Sequence, residues 1–118
     1  MNEQGGKGTV ESIQRSGGTA QFARADITDE FDVQSLVQEA SSACGKLDGA
    51  FDNAGIIGPG GPVADFSYQD WQKVLDINLN GLFLCLKYEI PAILAAGGGA
   101  IVNTSSTAGA IAYPNLPA

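Results

Sequence analysis

Two serines close to the end of the sequence have the type and the setting to bind a substrate oxygen. Ser105 and Ser106 follow Asn103 and Thr104, which themselves follow Ala100, Ile101 and Val102, a short apolar run preceded by Gly99. That run predicts a strand buried on both faces, as in a parallel sheet covered by helices. Such a strand delivers the residues after it to the carboxyl edge of the sheet, where open α/β sheets hold their ligands. Paired hydroxyls there can donate hydrogen bonds to a substrate oxygen; alternatively, they only shape a polar turn. A second polar cluster, Asp52-Asn53-Ala54-Gly55, follows the apolar stretch Leu47–Phe51, and Asp26-Ile27-Thr28 follows Thr19–Ala25.

The elements between these clusters are legible from spacing. Thr9–Ser16 reads as the last turns of a helix stopped by Gly17-Gly18, and Met1–Gly8 as a frayed, glycine-rich start. Gly5-Gly6-Lys7-Gly8-Thr9 is not a phosphate loop, because its lysine is not followed directly by Ser or Thr and no strand precedes it. Thr19–Ala25 alternates weakly around Phe22 and is expected to be a strand. Thr28 is expected to cap a helix carrying Val33, Leu36, Val37, Ala40 and Cys44 at helical spacing, closed by Gly45. Leu47–Phe51 is the next expected strand, followed by a Gly/Pro-rich loop to about Asp65. Ser67 with Asp70 resembles a capping box. It opens a long helical stretch with Trp71, Val74, Leu75, Leu79, Leu82, Phe83, Leu86, Ile90 and Ile93 apolar. Asn78, seven residues after Trp71, is expected on that buried stripe, where its amide needs a partner. Pro91 is expected to kink the last turns before Gly97-Gly98-Gly99.

Helix and strand alternate throughout, which predicts an α/β fold with a parallel sheet and right-handed crossovers. The 118 residues suffice for one domain, and 44% hydrophobic content can fill a core. A net charge of −7 disfavours nucleic acid and anionic membranes as partners. No apolar run is expected to span a membrane and no signal peptide is recognised, so the cytoplasm is the default location. Cys44 and Cys85 are expected to be buried free thiols. The chain has no histidine, which removes His-based triads, His bases and His metal ligands together; no metal site is assigned.

Asp52-Asn53-Ala54-Gly55 after a strand, Asn78 in a long helix and Asn103-Thr104-Ser105-Ser106 after the next strand, in this order and with Asp26 after the preceding strand, resemble the short-chain dehydrogenase/reductase family. The resemblance runs from about Thr9 to Ala118. It implies a three-layer Rossmann-type parallel sheet, here incomplete, with about three strands and flanking helices. It also implies hydride transfer between NAD or NADP and a small alcohol or carbonyl substrate. By that resemblance Asp26 and Ile27 line the adenine pocket, and Asn53, Ala54 and Gly55 border the cofactor ribose. Asn78 opens its helix locally and holds a water of a proton relay, and Ser106 hydrogen-bonds the substrate oxygen. The structural alternatives are a turn or cap role for Asp26 and a satisfied core amide for Asn78. The family usually has Asn where Asp52 stands.

Two family features have no counterpart among these residues: the glycine-rich turn that seats the pyrophosphate, and the Tyr-x-x-x-Lys pair. The tyrosine would fall one position past Ala118, and Tyr113 is not assigned its role. The chain is therefore expected to be an interior fragment, residues 1–118 of a partial NAD(P)-binding domain, inactive by itself. Its Thr19–Ala25 strand is expected to be displaced or loosely held, while the other two strands pair in parallel. The resemblance also implies a homo-oligomer in a full-length parent through the long Trp71–Ile93 helix, which is apolar over more than one stripe. The rival functions are a non-catalytic cofactor-binding or scaffold module and a receiver-type signalling domain phosphorylated on Asp52, although the metal- and phosphate-holding partners of such a receiver are missing.

Overall fold

The computed structural model describes residues 2–117. Its elements are α1 (Glu3–Arg15), α2 (Glu30–Cys44), β1 (Gly49–Asp52), α3 (Tyr68–Leu75), α4 (Leu82–Ala95) and β2 (Ala100–Asn103). A π-helical stretch, Asp76–Gly81, joins α3 to α4, and short 3-10 turns lie at Val63–Asp65 and Thr107–Gly109.

Local chemistry sets most helix ends. Ser67 Oγ accepts from the Asp70 backbone N–H at 3.0 Å and donates to the Asp70 carboxylate at 2.6 Å, so the expected pairing forms at the start of α3. Gly45 closes α2 in the left-handed region, at φ 79°. The α2 cap, however, is Asp29, which accepts from Asp32 N–H at 3.0 Å. Thr28, the expected cap, is held one step earlier by Asp26, to which it donates from both backbone and hydroxyl. Helix α1 begins well before Thr9, capped by Asn2 and braced by a Lys7–Glu3 ion pair. Its glycines are helical, contrary to the expected fraying. At Gly6 a Cβ would lie 2.3 Å from the Phe22 ring, so the small residue makes room for the aromatic side chain.

The sheet has two strands among the described residues. β1 and β2 pair in parallel, as expected, in the register Gly49↔Ala100 to Asp52↔Asn103. The third expected strand does not form: residues 19–25 carry no strand pairing. An extended segment becomes a strand only through a neighbour, and Thr19–Ala25 has none within the sheet. It has not moved in beside β1, and one edge of each strand is left without a strand partner among the described residues.

Burial follows from that topology. α2 packs on α4 and α4 packs on β1, which encloses Val33, Val37, Cys85 and Ile93 in a small core. Val102 stays 55% exposed, so the Ala100–Val102 strand is not buried on both faces as expected, and Phe51 on β1 is 67% exposed. Cys44 is exposed at the end of α2, because nothing packs over that turn; Cys85 is buried. The continuous run Tyr68–Ala95, 28 residues long, does have the length and composition of a membrane span, contrary to expectation. Here it acts as the central helical scaffold, tied to α2 by Lys87 and Tyr88, which both donate to the Glu30 carboxylate.

Gly99 governs how closely the strands approach. A Cβ there would stand 2.0 Å from the Asp48 carbonyl oxygen. Gly99→Ala is therefore expected to destabilise the chain by about 2 kcal/mol or more in urea unfolding. An unchanged midpoint would contradict this packing.

Candidate functional site

The strand register continues past the strands. The Thr104 backbone N–H donates to the Asp52 carbonyl at 2.8 Å, and Thr104 Oγ1 donates to Asn53 Oδ1 at 2.7 Å. These two bonds hold the Asn53-Ala54-Gly55 loop against the Thr104-Ser105-Ser106 loop. Ser106 then caps the following 3-10 turn, its Oγ accepting from Ala108 N–H at 3.1 Å. Acceptance leaves the hydroxyl proton available, so Ser106 shapes a turn and can still donate to a ligand oxygen.

Asn78 reaches the same place from the helical side. It lies within the π-helical stretch, where one extra residue per turn shifts side chains out of the regular stripe and leaves a backbone carbonyl outside the usual ladder. The expectation of a buried Asn78 is thereby corrected: the residue is exposed, and its amide is satisfied locally. Nδ2 donates to the Ile56 carbonyl and Oδ1 accepts from the Ile56 N–H, both at 2.9 Å. One side chain thus supplies both halves of a strand-like pairing to the loop after Gly55. A Cβ on Gly55 would lie 3.3 Å from Asn78 Oδ1, so glycine permits the close approach.

Asn53, Ala54, Gly55, Asn78, Ser105 and Ser106 accordingly line one open cleft of about 590 Å³, with Ile56, Ile57 and Leu116 as its large apolar walls and no charged side chain on its lining among the described residues. Ile27 lines an adjoining cavity of about 210 Å³ that shares Asn53, Ala54, Asn78 and Thr104 with it. Asp26 belongs to neither. It faces a shallow polar surface with Gln69, Lys73 and Asp76. Its Oδ1 accepts from Thr28 N–H and hydroxyl at 3.0 and 2.8 Å, which holds its carboxyl below the ordinary value. The turn role weighed for Asp26 is therefore occupied, and the structure does not bring it together with the other candidate residues. Tyr113 pairs with Thr107 at 3.1 Å.

The smaller cavity holds a cluster that was not anticipated. Asp52, Cys85 and Glu89 bring a carboxylate oxygen, a thiol sulfur and a second carboxylate oxygen within 4.8 Å of one another. Burial pushes Glu89 up to about 7, the Asp52 charge adding to it. Burial also raises Asp52 above its ordinary value and Cys85 to about 11. Leu82, Cys85 and Glu89 lie at i, i+3 and i+7 on α4, so an acid on an apolar helical stripe was the signal that could have found Glu89. Asp52 thus faces another acid rather than a lysine, which removes the setting a phosphorylated aspartate requires.

All 118 residues match the family model described as enoyl-(acyl carrier protein) reductase. The chain is 42% identical over 116 residues to cyclohexanol dehydrogenase of Acinetobacter sp. (strain SE19), covering 98% of this chain and 46% of that protein. It is 44% identical over 115 residues to 2,5-dichloro-2,5-cyclohexadiene-1,4-diol dehydrogenase of Sphingobium indicum, covering 97% and 45% of the two. It also superposes on NAD+-bound xylitol dehydrogenase with a TM-score of 0.95 at 34% identity, over 98% of this chain and 45% of that one. The chain spans about half the length of the curated relatives it matches.

Asn78→Ala removes both bonds to Ile56 and should free the loop after Gly55. The expected outcome is faster exchange of the Ile56 amide with the helices retained. Asn78→Asp should restore protection only in part, because a carboxylate can accept from the Ile56 N–H but cannot donate to the Ile56 carbonyl. Slow Ile56 exchange in Asn78→Ala would refute the clamp.

Proposed function

The chain belongs to the short-chain dehydrogenase/reductase family, and from that we propose that it supplies the substrate-oxygen and ribose-bordering half of an NAD(P)-dependent oxidoreductase. The observation that carries this reading is the convergence of Asn53, Ala54, Gly55, Asn78 and Ser106 on one cleft through the β1–β2 register. The residues fit a nicotinamide cofactor: Gly55 leaves its loop without a side chain where the backbone must approach a ribose, and Ile27 offers an apolar face in the adjoining cavity. When bound, the cofactor supplies or accepts the hydride. Ser106 donates its hydroxyl proton to the substrate oxygen and steadies negative charge developing there. Asn78 fixes the loop wall through Ile56 and, within the opened π turn, holds a water for proton transfer. Asp26 contributes at most to an outer adenine surface, since its Oδ1 is engaged by Thr28.

The substrate we propose is a neutral cyclic alcohol or its ketone. Two named relatives act on ring alcohols, and the cleft presents Ile56, Ile57 and Leu116 with no counter-charge for an anionic substrate. The 118 residues contain no Tyr-x-x-x-Lys pair: Tyr68, Tyr88 and Tyr113 are followed four residues later by Gln72, Ala92 and Pro117. The proposal therefore has this chain silent alone, lacking the proton donor and the lysine that tunes it. The purified chain, incubated with cyclohexanol and either NAD+ or NADP+, should form no reduced cofactor; steady alcohol-dependent formation would overturn that part of the reading.

A homo-oligomer through the Trp71–Ile93 helix belongs to the same proposal. Its support is the row Leu79, Phe83, Ile90 and Leu94, all 45% exposed or more. Light scattering should give a mass above one chain, and Phe83→Asp should return it to a monomer. A monomer before substitution would count against the interface.

A further inference from the structure

The Asp52–Cys85–Glu89 cluster has no part in the proposed hydride transfer, yet it is built from two elements that the fold brings together. Asp52 is the last residue of β1, while Cys85 and Glu89 are one turn apart on the face of α4 that packs on β1. Their donor atoms lie within 4.8 Å of one another. Cys85 is 8% exposed and lines the 210 Å³ cavity. Asp52 Oδ2 and Glu89 Oε2 are shut off from solvent, with no hydrogen-bond partner among the described residues. Two closed-off carboxylate oxygens facing each other need a positive charge or a proton between them, because a buried unpaired polar atom is costly. Among the described residues no Lys or Arg lines this cavity.

We propose that Asp52, Cys85 and Glu89 bind one divalent cation of the zinc class. The donor set selects the ion: a thiolate disfavours magnesium and calcium, which take oxygen ligands, and suits zinc, cobalt(II) or cadmium. Two carboxylates and a thiolate are three protein ligands, which leaves a fourth tetrahedral position toward the cavity for water. Bond lengths of about 2.0 Å to oxygen and 2.3 Å to sulfur bring the donors closer than they stand here. On binding, the Cys85 thiol proton and the proton shared by Asp52 and Glu89 pass to solvent, and the ion takes their place as partner of both carboxylate oxygens. The ion would tie the carboxyl end of β1 to α4 directly beneath Asn53. Three ligands spaced 33 and 4 residues apart, none of them histidine, do not form a recognisable sequence motif, which is why the sequence assigns no metal here.

The test is cobalt(II) titration of the whole 118-residue chain carrying Cys44→Ser, which removes the exposed competing thiol. The expected result is an intense near-ultraviolet thiolate-to-cobalt band that saturates at one ion per chain and is displaced by zinc. Adding Cys85→Ser should abolish the band, and adding Glu89→Gln or Asp52→Asn should weaken affinity by about tenfold or more, with the circular dichroism of the metal-free chain unchanged. The proposal fails if the Cys44→Ser chain shows no band, or if Glu89→Gln and Asp52→Asn both bind as tightly as their parent. It fails equally if no band forms while Glu89→Gln raises the melting temperature, since the pair then holds a shared proton instead. Because the readout is metal binding, its failure is distinct from any failure of the oxidoreductase reading.

Discussion

The bond from the Thr104 N–H to the Asp52 carbonyl is the constraint on which the site depends. It extends the parallel β1–β2 ladder one step beyond the last paired residues, and Thr104 Oγ1 reinforces it on Asn53. A one-residue slip would turn every side chain to the opposite face. Asn53 would then lose Thr104, and Ser106 would leave the cleft wall. The glycine at position 99 serves the same end, since only a residue without a Cβ lets the two strands approach this closely.

The second support comes from the helical side. A regular helix through Asp76–Gly81 would keep Asn78 on the stripe that faces α4's neighbours. The π turn rotates it out and aims its amide at Ile56. The cleft therefore rests on one sheet register and one helical irregularity, with the floor set by the strands and the wall by the amide clamp. Behind that wall, Asp52 and Glu89 place two acids in an apolar cavity with Cys85, an arrangement that leaves the core incomplete unless a proton or a cation joins them.

Features decided by near neighbours in the chain were legible in the sequence. Ser67 caps α3, Gly45 closes α2, and β1 and β2 pair in parallel, because caps, left-handed stops and βα alternation are local or nearly local signals. Thr28 and Asp29 both suit a cap, and the choice between them turned on Asp26 engaging Thr28 first. Thr19–Ala25 has the composition of a strand, but strand formation belongs to a pair, and spacing within one segment cannot say whether a partner stands beside it. Burial was misjudged for the same reason. Cys44 and Val102 are apolar at plausible core positions, yet both are exposed, with no layer over them among the described residues. Asn53, Ala54, Gly55, Asn78 and Ser106 were legible as a group through their order along the chain. The acid pair was not, because Asp52 and Glu89 lie 37 residues apart on different elements and only the packing of α4 on β1 brings them together.

Amide hydrogen exchange at Thr104, measured by NMR on the 118-residue chain, tests the account most directly. If the register holds the two loops together, the Thr104 amide exchanges as slowly as the paired amides of β2, and a nuclear Overhauser contact links it to the Asp52–Asn53 segment. If Thr104 exchanges as freely as a loop amide while Ile101 and Val102 remain protected, the strands end before the site. In that case the cleft uniting Asn53, Asn78 and Ser106 is not what this fold builds.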